Sequence, residues 1–502
     1  MKPKQVLAFL LVAGCAFAAG PSLTIYNQNF AVVRESIPLV LQQGLNVVQF
    51  TNATVHLEPD SVMLRDPAGK VALSVLEQNF RAEPISEGLL LNLFEGKELE
   101  FETTAPVTGE KRIIKGKVIR SGYVPHQRAM QQYGANYGYT QMAYAQGGSA
   151  QPIVEVAGRL LFSLPGRPVF PALAADAILK PTLDWRIHAE RAARLEAELS
   201  YVSGGMRWKA DYNMVAGETG DRLDVVGWIT MDNQSGKDFE NARIKLVAGD
   251  VNKIQPVGAL YQRAMADEVR MAREAAAPQV TERSFDEYHL YTLPLETTLH
   301  DRESKQVEFV RAANVQAKRI YVYDGAKIDR RYYGWDAATV RNQPEYGTQS
   351  NAKVWVMREF ANTAENGLGI ALPRGRVRFY RRDVGGAMEF TGENNIDHTA
   401  RNEKLRVYTG DAFDIVGERK RTNFQIDHNK NWLDETFEIR VRNRKSEPVE
   451  VRVVEHMYRW VNWRLTAQTL PHKKTESQTA EFVVRLGADQ EQVLTYTVHY
   501  TW

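Results

Sequence analysis

The chain has 502 residues, 44% of them hydrophobic, with 63 Lys plus Arg against 61 Asp plus Glu. That length suits several packed domains, and so even a charge balance gives no reason to expect nucleic acid or an acidic membrane surface as the principal partner. A single cysteine, Cys15, excludes a disulfide within the chain.

Residues 1–19 read as an export signal: Lys2 and Lys4, an apolar run from Val6 to Val12, then the small-residue site Ala16-Phe17-Ala18. Cleavage after Ala18 or Ala19 leaves a mature chain without a thiol. Alternatively, Val12-Ala13-Gly14-Cys15 is a lipobox, and Cys15 becomes an acylated membrane anchor. Either way the expected location is outside the cytoplasm: periplasmic, in the cell envelope, or secreted. No later apolar run reaches the roughly 18 residues of a spanning helix. Residues 20–110 are expected to form an N-terminal β-sandwich, and 111–180 a small β-barrel-like domain whose Tyr, Gln and Gly tract at 131–150 is a surface loop. Residues 181–325 follow as a central β domain, 326–350 as a connecting loop, and 351–502 as a C-terminal β-sandwich.

Alternation of period two supports that division. In Leu183 to Val202, Trp185 and Ile187, then Leu195, Ala197, Leu199 and Tyr201, keep a spacing of two, which predicts a hairpin. The stretch 260–277 departs from the rule: Tyr261, Met265 and Val269 fall on one face of an amphipathic helix. Phe437, Ile439 and Val441, and then Val449, Val451 and Val453, alternate with charges across a turn-forming Arg444-Lys445-Ser446-Glu447-Pro448, again predicting a hairpin. The chain ends on Leu494, Tyr496, Val498, Tyr500 and Trp502 alternating with polar residues. An apolar strand ending in Asn before a polar turn recurs at Asn233, Asn362 and Asn443, suggesting repeated sandwich construction. Asn suits that place because it tolerates left-handed turns and bonds its own backbone.

Leu23-Thr24-Ile25-Tyr26-Asn27-Gln28-Asn29-Phe30, Leu76-Glu77-Gln78-Asn79-Phe80 and Ser203-Gly204-Gly205-Met206-Arg207-Trp208 resemble the bacterial domain-of-unknown-function family 4139. Asp232-Asn233-Gln234-Ser235-Gly236, Leu246-Val247-Ala248-Gly249-Asp250, Glu287-Tyr288-His289, Ile396-Asp397-His398-Thr399 and Tyr458-Arg459-Trp460 extend the likeness over nearly the whole mature chain. Residues 131–150 are an addition to that pattern. The resemblance implies an exported β-rich protein similar to the mucoidy-inhibitor-like group, and it brings no activity, cofactor or catalytic residue with it.

Three constellations are candidates for chemistry. Asp427, Asn429 and Asn431 offer alternating oxygen ligands with Glu438 eleven residues after Asp427, the spacing of a calcium loop, although Trp432 stands where that loop needs Gly. Asp427-His428-Asn429-Lys430-Asn431 reads equally as a polar turn. Asp397 and His398, near Glu393 and Glu403, join a carboxylate to an imidazole, as a general base or metal site requires. Tyr458, Trp460 and Trp463 beside Arg459 and Arg464 set flat rings next to guanidinium groups, as glycan- or peptide-binding surfaces do, or simply pack a sandwich. Zinc-helix, nucleophile-elbow and phosphate-loop signatures are missing. A terminal aromatic strand also fits an outer-membrane barrel, but the charge-rich strands argue against a lipid-facing girdle. The expected protein is therefore all-β: several antiparallel β-sandwich or barrel-like domains with one helix. It is expected to bind an envelope protein, glycan or polymer, needing no cofactor beyond a candidate calcium ion. An extracytoplasmic hydrolase is the alternative.

Overall fold

The computed structural model describes residues 20–82, 86–104, 109–122, 151–171, 180–217, 220–249, 251, 253, 280–285 and 288–502. The segments read from sequence as an export signal with Cys15 (1–19), a surface loop (131–150) and an amphipathic helix (260–277) lie outside them. The fold is all-β and multi-domain. Among the described residues, α-helix is confined to Glu87–Leu93 and Ala337–Asn342.

Two compact units divide the chain: residues 1–207, 232–278 and 295–304 make the first, and 208–231, 279–294 and 305–502 the second. In the first, one sheet runs Phe239–Ala248, Ser22–Tyr26, Phe30–Leu41, Ala193–Gly204, Met63–Arg65. Ser22–Tyr26 is parallel to Phe239–Ala248, so the N-terminal sandwich expected at 20–110 is completed by strands from the central stretch. A second sheet places Thr182–Ala189 between Gly44–Thr51 and Leu73–Arg81. The two strands expected in Leu183 to Val202 therefore exist but are no hairpin, since each joins a different sheet. Alternation buries Trp185 and Ile187 in one and Leu199 and Tyr201 in the other, and burial is satisfied equally well by facing layers as by neighbouring strands.

The small sheet of the first unit runs Arg167–Val169, Glu98–Thr104, Lys111–Arg120, Ile153–Val156, Arg159–Leu161, an open order rather than a barrel among the described residues. Glu98–Thr104, assigned from sequence to the preceding domain, supplies its central Leu99 and Phe101. These pack with Val118, Val154 and Leu91 of the helix Glu87–Leu93, whose N-terminus is capped by Ser86 accepting from the Leu89 amide.

In the second unit, a five-stranded sheet runs Glu303–Gln316, Arg222–Asn233, Met206–Ala216, Gly375–Arg382, Met388–Ile396. A nine-stranded sheet runs Trp463–Gln468, Glu491–Thr501, Trp432–Asn443, Lys404–Asp427, Lys353–Ala361, Lys318–Tyr323, Val449–His456, Thr479–Leu486, His472–Glu476. It folds over on itself: Phe482 from one end stacks on Tyr496 from the other, ring centroids 5.5 Å apart, and Phe437 stacks on Tyr496 at the same distance. Leu494, Tyr496, Val498 and Tyr500 are all buried, as their alternation predicts. Trp432–Asn443 and Val449–His456, expected as a hairpin, instead belong to opposite layers of this fold-over, and the 444–448 turn arches between them.

The recurring Asn explains such turns. Asn443 is fully buried, and its amide donates to the Glu447 and Gly487 carbonyls at 2.9 and 2.8 Å while its oxygen accepts from the Lys445 amide at 3.0 Å. Asn362 does the same for Ile370, Ala400 and Gly369, and in the first unit Asn233 does so for Lys237, Leu299, His300 and Ser235. None of the three has a left-handed backbone, so their role is side-chain satisfaction of buried backbone groups rather than turn conformation.

The segment expected as a linker at 326–350 is an ordered strap. Lys318–Tyr323 before it and Lys353–Ala361 after it are neighbours in one sheet, and the Asn351 amide donates to the Gly325 carbonyl at 3.0 Å. The strap therefore leaves and re-enters the same sheet instead of joining two domains. Within it, Ala326–Lys327 pairs with Gln349–Ser350, and Asp336 caps Ala337–Asn342 by accepting from the Thr339 amide at 2.9 Å.

Candidate functional site

The strap is held from beneath by arginines. Arg459 is 2% exposed and grips Glu435 with two contacts, Nε to Oε2 at 3.1 Å and Nη2 to Oε1 at 2.8 Å. Its remaining donors reach the Val340 and Gln343 carbonyls, both at 2.6 Å, and that of Tyr346 at 2.9 Å. Arg421 bonds Glu435 and the Pro344 carbonyl. Arg419 meets Glu455 at 2.9 and 3.0 Å and donates to the Gly347 carbonyl at 2.7 Å, while the Tyr496 hydroxyl donates to Glu455. Burial works against the charge on Arg419, yet Glu455 and Tyr496 outweigh it and hold its pKa above the usual guanidinium value. Burial likewise raises the Tyr496 and Tyr500 hydroxyls well above the ordinary tyrosine range, with Glu455 and Glu435 adding to it. The planar guanidinium suits this task, since five fixed donors serve a carboxylate and several carbonyls at once.

Arg459, expected on a binding surface, is therefore interior. Tyr458 and Trp460 are half-buried; the Arg341 guanidinium of the strap sits 4.3 Å from the Trp460 ring and 5.0 Å from that of Trp502. Trp463 donates to the Ser477 carbonyl at 2.9 Å and lies under Lys474. These aromatics pack against their own chain. Nearby, His456 Nε2 lies 2.9 Å from Asp324 Oδ2, and that hydrogen bond raises the imidazole pKa.

The other two candidates also resolve into local structure. Asp427 accepts from the Asn429 and Lys430 amides at 2.9 and 3.1 Å, and Asn431 takes a left-handed backbone (φ 55°), which closes the turn onto Trp432. Asp427 Oδ1 thus serves the turn's own backbone. His398 Nδ1 accepts from the Arg374 amide at 3.2 Å, and Asp397 contributes its carbonyl to Thr399. Among the described residues no three His, Cys, Asp or Glu side chains gather around a common point.

A cleft of about 290 Å³ in the second unit was not foreseen. Arg319 and Arg358 from the nine-stranded sheet, Arg381 from the five-stranded sheet and Lys445 from the 444–448 arch line it, with Tyr321, Phe379 and Tyr380 as its apolar walls. Two carboxylates, Asp411 and Asp414, also line it. Asp411 is engaged by Lys353 at 2.7 Å and by the Tyr408 hydroxyl at 2.9 Å, and the Lys353 hydrogen bond lowers its pKa. Arg358, 5% exposed, donates to the Ala317 carbonyl at 3.1 Å and to Asp221 at 3.3 Å. Burial and the neighbouring Arg319 nevertheless push it down to about 10, with Arg381 acting in the same direction and Asp221 against.

Local backbone shapes the cleft. Lys404–Asp427 pairs with Lys353–Ala361 as far as Asp411 and with Trp432–Asn443 from Ile415 onward. At this change of partner, Lys353 faces Val416 while Trp355 faces Asp411, so the stretch between Asp411 and Val416 bulges and leaves Phe413 95% exposed at the rim. Gly392 lets the two sheets approach here, because a Cβ on it would run into the Thr409 carbonyl.

The charges under the strap did leave a sequence signal. Arg419, Glu435 and Glu455 stand in the apolar phase of their strands' alternation, and Arg459 continues that phase beyond the end of Val449–His456, where a charge needs a buried partner. The cleft left none, because its cations come from four distant segments. No family model matches the chain, and comparison with curated proteins finds no match.

Proposed function

We propose that this chain is an exported protein of the bacterial cell envelope that acts by binding an envelope protein, glycan or polymer rather than by catalysis. The observation that carries this reading is the commitment of the buried ionised groups of the second unit to one another and to backbone carbonyls. A general acid or base works best with a pKa near the operating pH. Here Arg419 and the buried tyrosines move up and Asp411 moves down, away from neutrality, while burial brings Arg358 down only to about 10. The export signal at 1–19 and the resemblance to family 4139 support the location. An extracytoplasmic hydrolase is the second reading, favoured by one feature, the His456–Asp324 pair.

Fractionation of the source cells, with mass measurement of the mature N-terminus, tests the location and decides between cleavage near Ala18 and acylation at Cys15. Co-sedimentation with isolated envelope polymers, assayed in parallel for released fragments, tests the activity. Binding without fragment release is expected. Release that is abolished by His456→Gln would establish the hydrolase instead.

A further inference from the structure

We infer that the strand Gly44–Thr51 of the first unit is a self-association edge, on which a second copy of this chain lays the same strand antiparallel about a two-fold axis at Val47. The pairing goes beyond the binding reading above and stands without it.

Gly44–Thr51 ends the three-stranded sheet: Thr182–Ala189 occupies one side, and among the described residues no strand pairs with the other. Alternate residues of an antiparallel strand turn their N–H and C=O groups to opposite sides, so the open side carries a row of backbone donors and acceptors. The register with Thr182–Ala189 runs without a shift over all eight residues. Asn46 fixes the start of the strand, accepting from the Gln42 amide at 2.8 Å and donating to the Gln42 and Gly44 carbonyls at 2.8 and 3.0 Å. Phe50 turns inward onto Trp185, ring centroids 6.4 Å apart. Leu45 and Val47, in the other phase, are 59% and 78% exposed.

An edge of this kind is normally blunted by charge, proline, a bulge or shortness. The opposite edge of the same sheet, Leu73–Arg81, has Glu77, Arg81 and a register shift at Arg186/Ile187. Every other edge strand of five or more residues among the described residues carries charge, Glu303–Gln316, Met388–Ile396, Trp463–Gln468 and His472–Glu476 included. Gly44–Thr51, of sequence GLNVVQFT, has neither charge nor proline.

That missing charge also names the occupant. When a strand pairs with its own copy, a charge near the axis meets the same charge, and like charges directly opposite are destabilising. An uncharged edge accepts itself without that penalty. A two-fold axis through Val47, perpendicular to the sheet, sets the two Val47 side chains against each other and Leu45 against Gln49 on the exposed face, with Asn46 against Val48 on the inner one. The two sheets then continue as one, each contact made twice, which is the self-complementary geometry of a two-fold dimer.

Sedimentation equilibrium of the whole mature protein and of Val47→Lys, Val47→Glu and Val47→Thr tests the proposal. The unaltered protein is expected to dimerise, and Val47→Thr, uncharged and β-branched, to keep the dimer. Val47→Lys and Val47→Glu each place like charges across the axis and should weaken it at least tenfold, with circular dichroism unchanged because the side chain is exposed. Mixing the two charged variants should restore the dimer, since opposite charges then face each other. A monomer at every concentration, a dimer indifferent to both charged variants, or charged variants that do not recover on mixing would overturn it. So would a monomeric protein that takes up an extended peptide along this edge, which gives the strand a different occupant.

Discussion

Two arginine clusters in the second unit use the same side chain to opposite ends. Beneath the strap, Arg419, Arg421 and Arg459 have their charges met by Glu435 and Glu455 and their remaining donors met by strap carbonyls. In the cleft, Arg319, Arg358 and Arg381 line open volume, with Arg319 3.8 Å from Glu447 and Arg358 3.3 Å from Asp221. Surroundings separate the two: donors that end on buried carboxylates and carbonyls fix backbone, while those of the cleft border open volume.

The largest break in this contrast comes from removing one partner of a saturated pair. Glu455→Gln leaves Arg419 buried and uncompensated and is expected to cost about 3–5 kcal/mol in chemical denaturation followed by tryptophan fluorescence. Arg459→Met removes the charge and its donors together, leaving Glu435 with Arg421 and orphaning the Val340, Gln343 and Tyr346 carbonyls. A loss of about 2–4 kcal/mol is expected, with new protease cleavage within 326–350 as the local readout. Cleavage elsewhere, with the strap intact, would show that Arg459 does not hold it.

A smaller effect sharpens the comparison through pH. Asp324 raises the His456 pKa by hydrogen bonding, so the folded state binds that proton more tightly than the unfolded chain does. The resulting stabilisation is complete below the unfolded histidine value of 6.5 and is lost as pH rises through the higher folded value. The pair is partly exposed, so its contribution is about 0.5–1 kcal/mol. The stability difference between the unaltered protein and His456→Gln should be largest in mild acid and shrink as pH passes neutrality. A constant difference would place the effect of His456 in packing.

Much of this architecture is written in alternation, and the limits of that signal are physical. Leu494 to Tyr500 announces a strand with one buried face because burial is a property of each residue. Which strand lies beside it is not: Trp185 and Leu199, or Val441 and Val449, read as hairpin neighbours yet sit in different sheets or layers, since either arrangement hides the same side chains. The strap looked like a linker because its Gly, Pro, Asn and charged residues suit loops, while the arginines that order it lie more than seventy residues downstream. Arg459 looked like part of a recognition surface because two aromatics flank it, although its place in the inward phase with Val453, Glu455 and Met457 marks it as interior.

The contrast between the clusters is tested most directly by chemical denaturation of Arg459→Met and of the Arg381→Gln, Lys445→Gln double variant. The account predicts that Arg459→Met is less stable and that the double variant is close to the unaltered protein in stability. An equal loss of stability in both would contradict it.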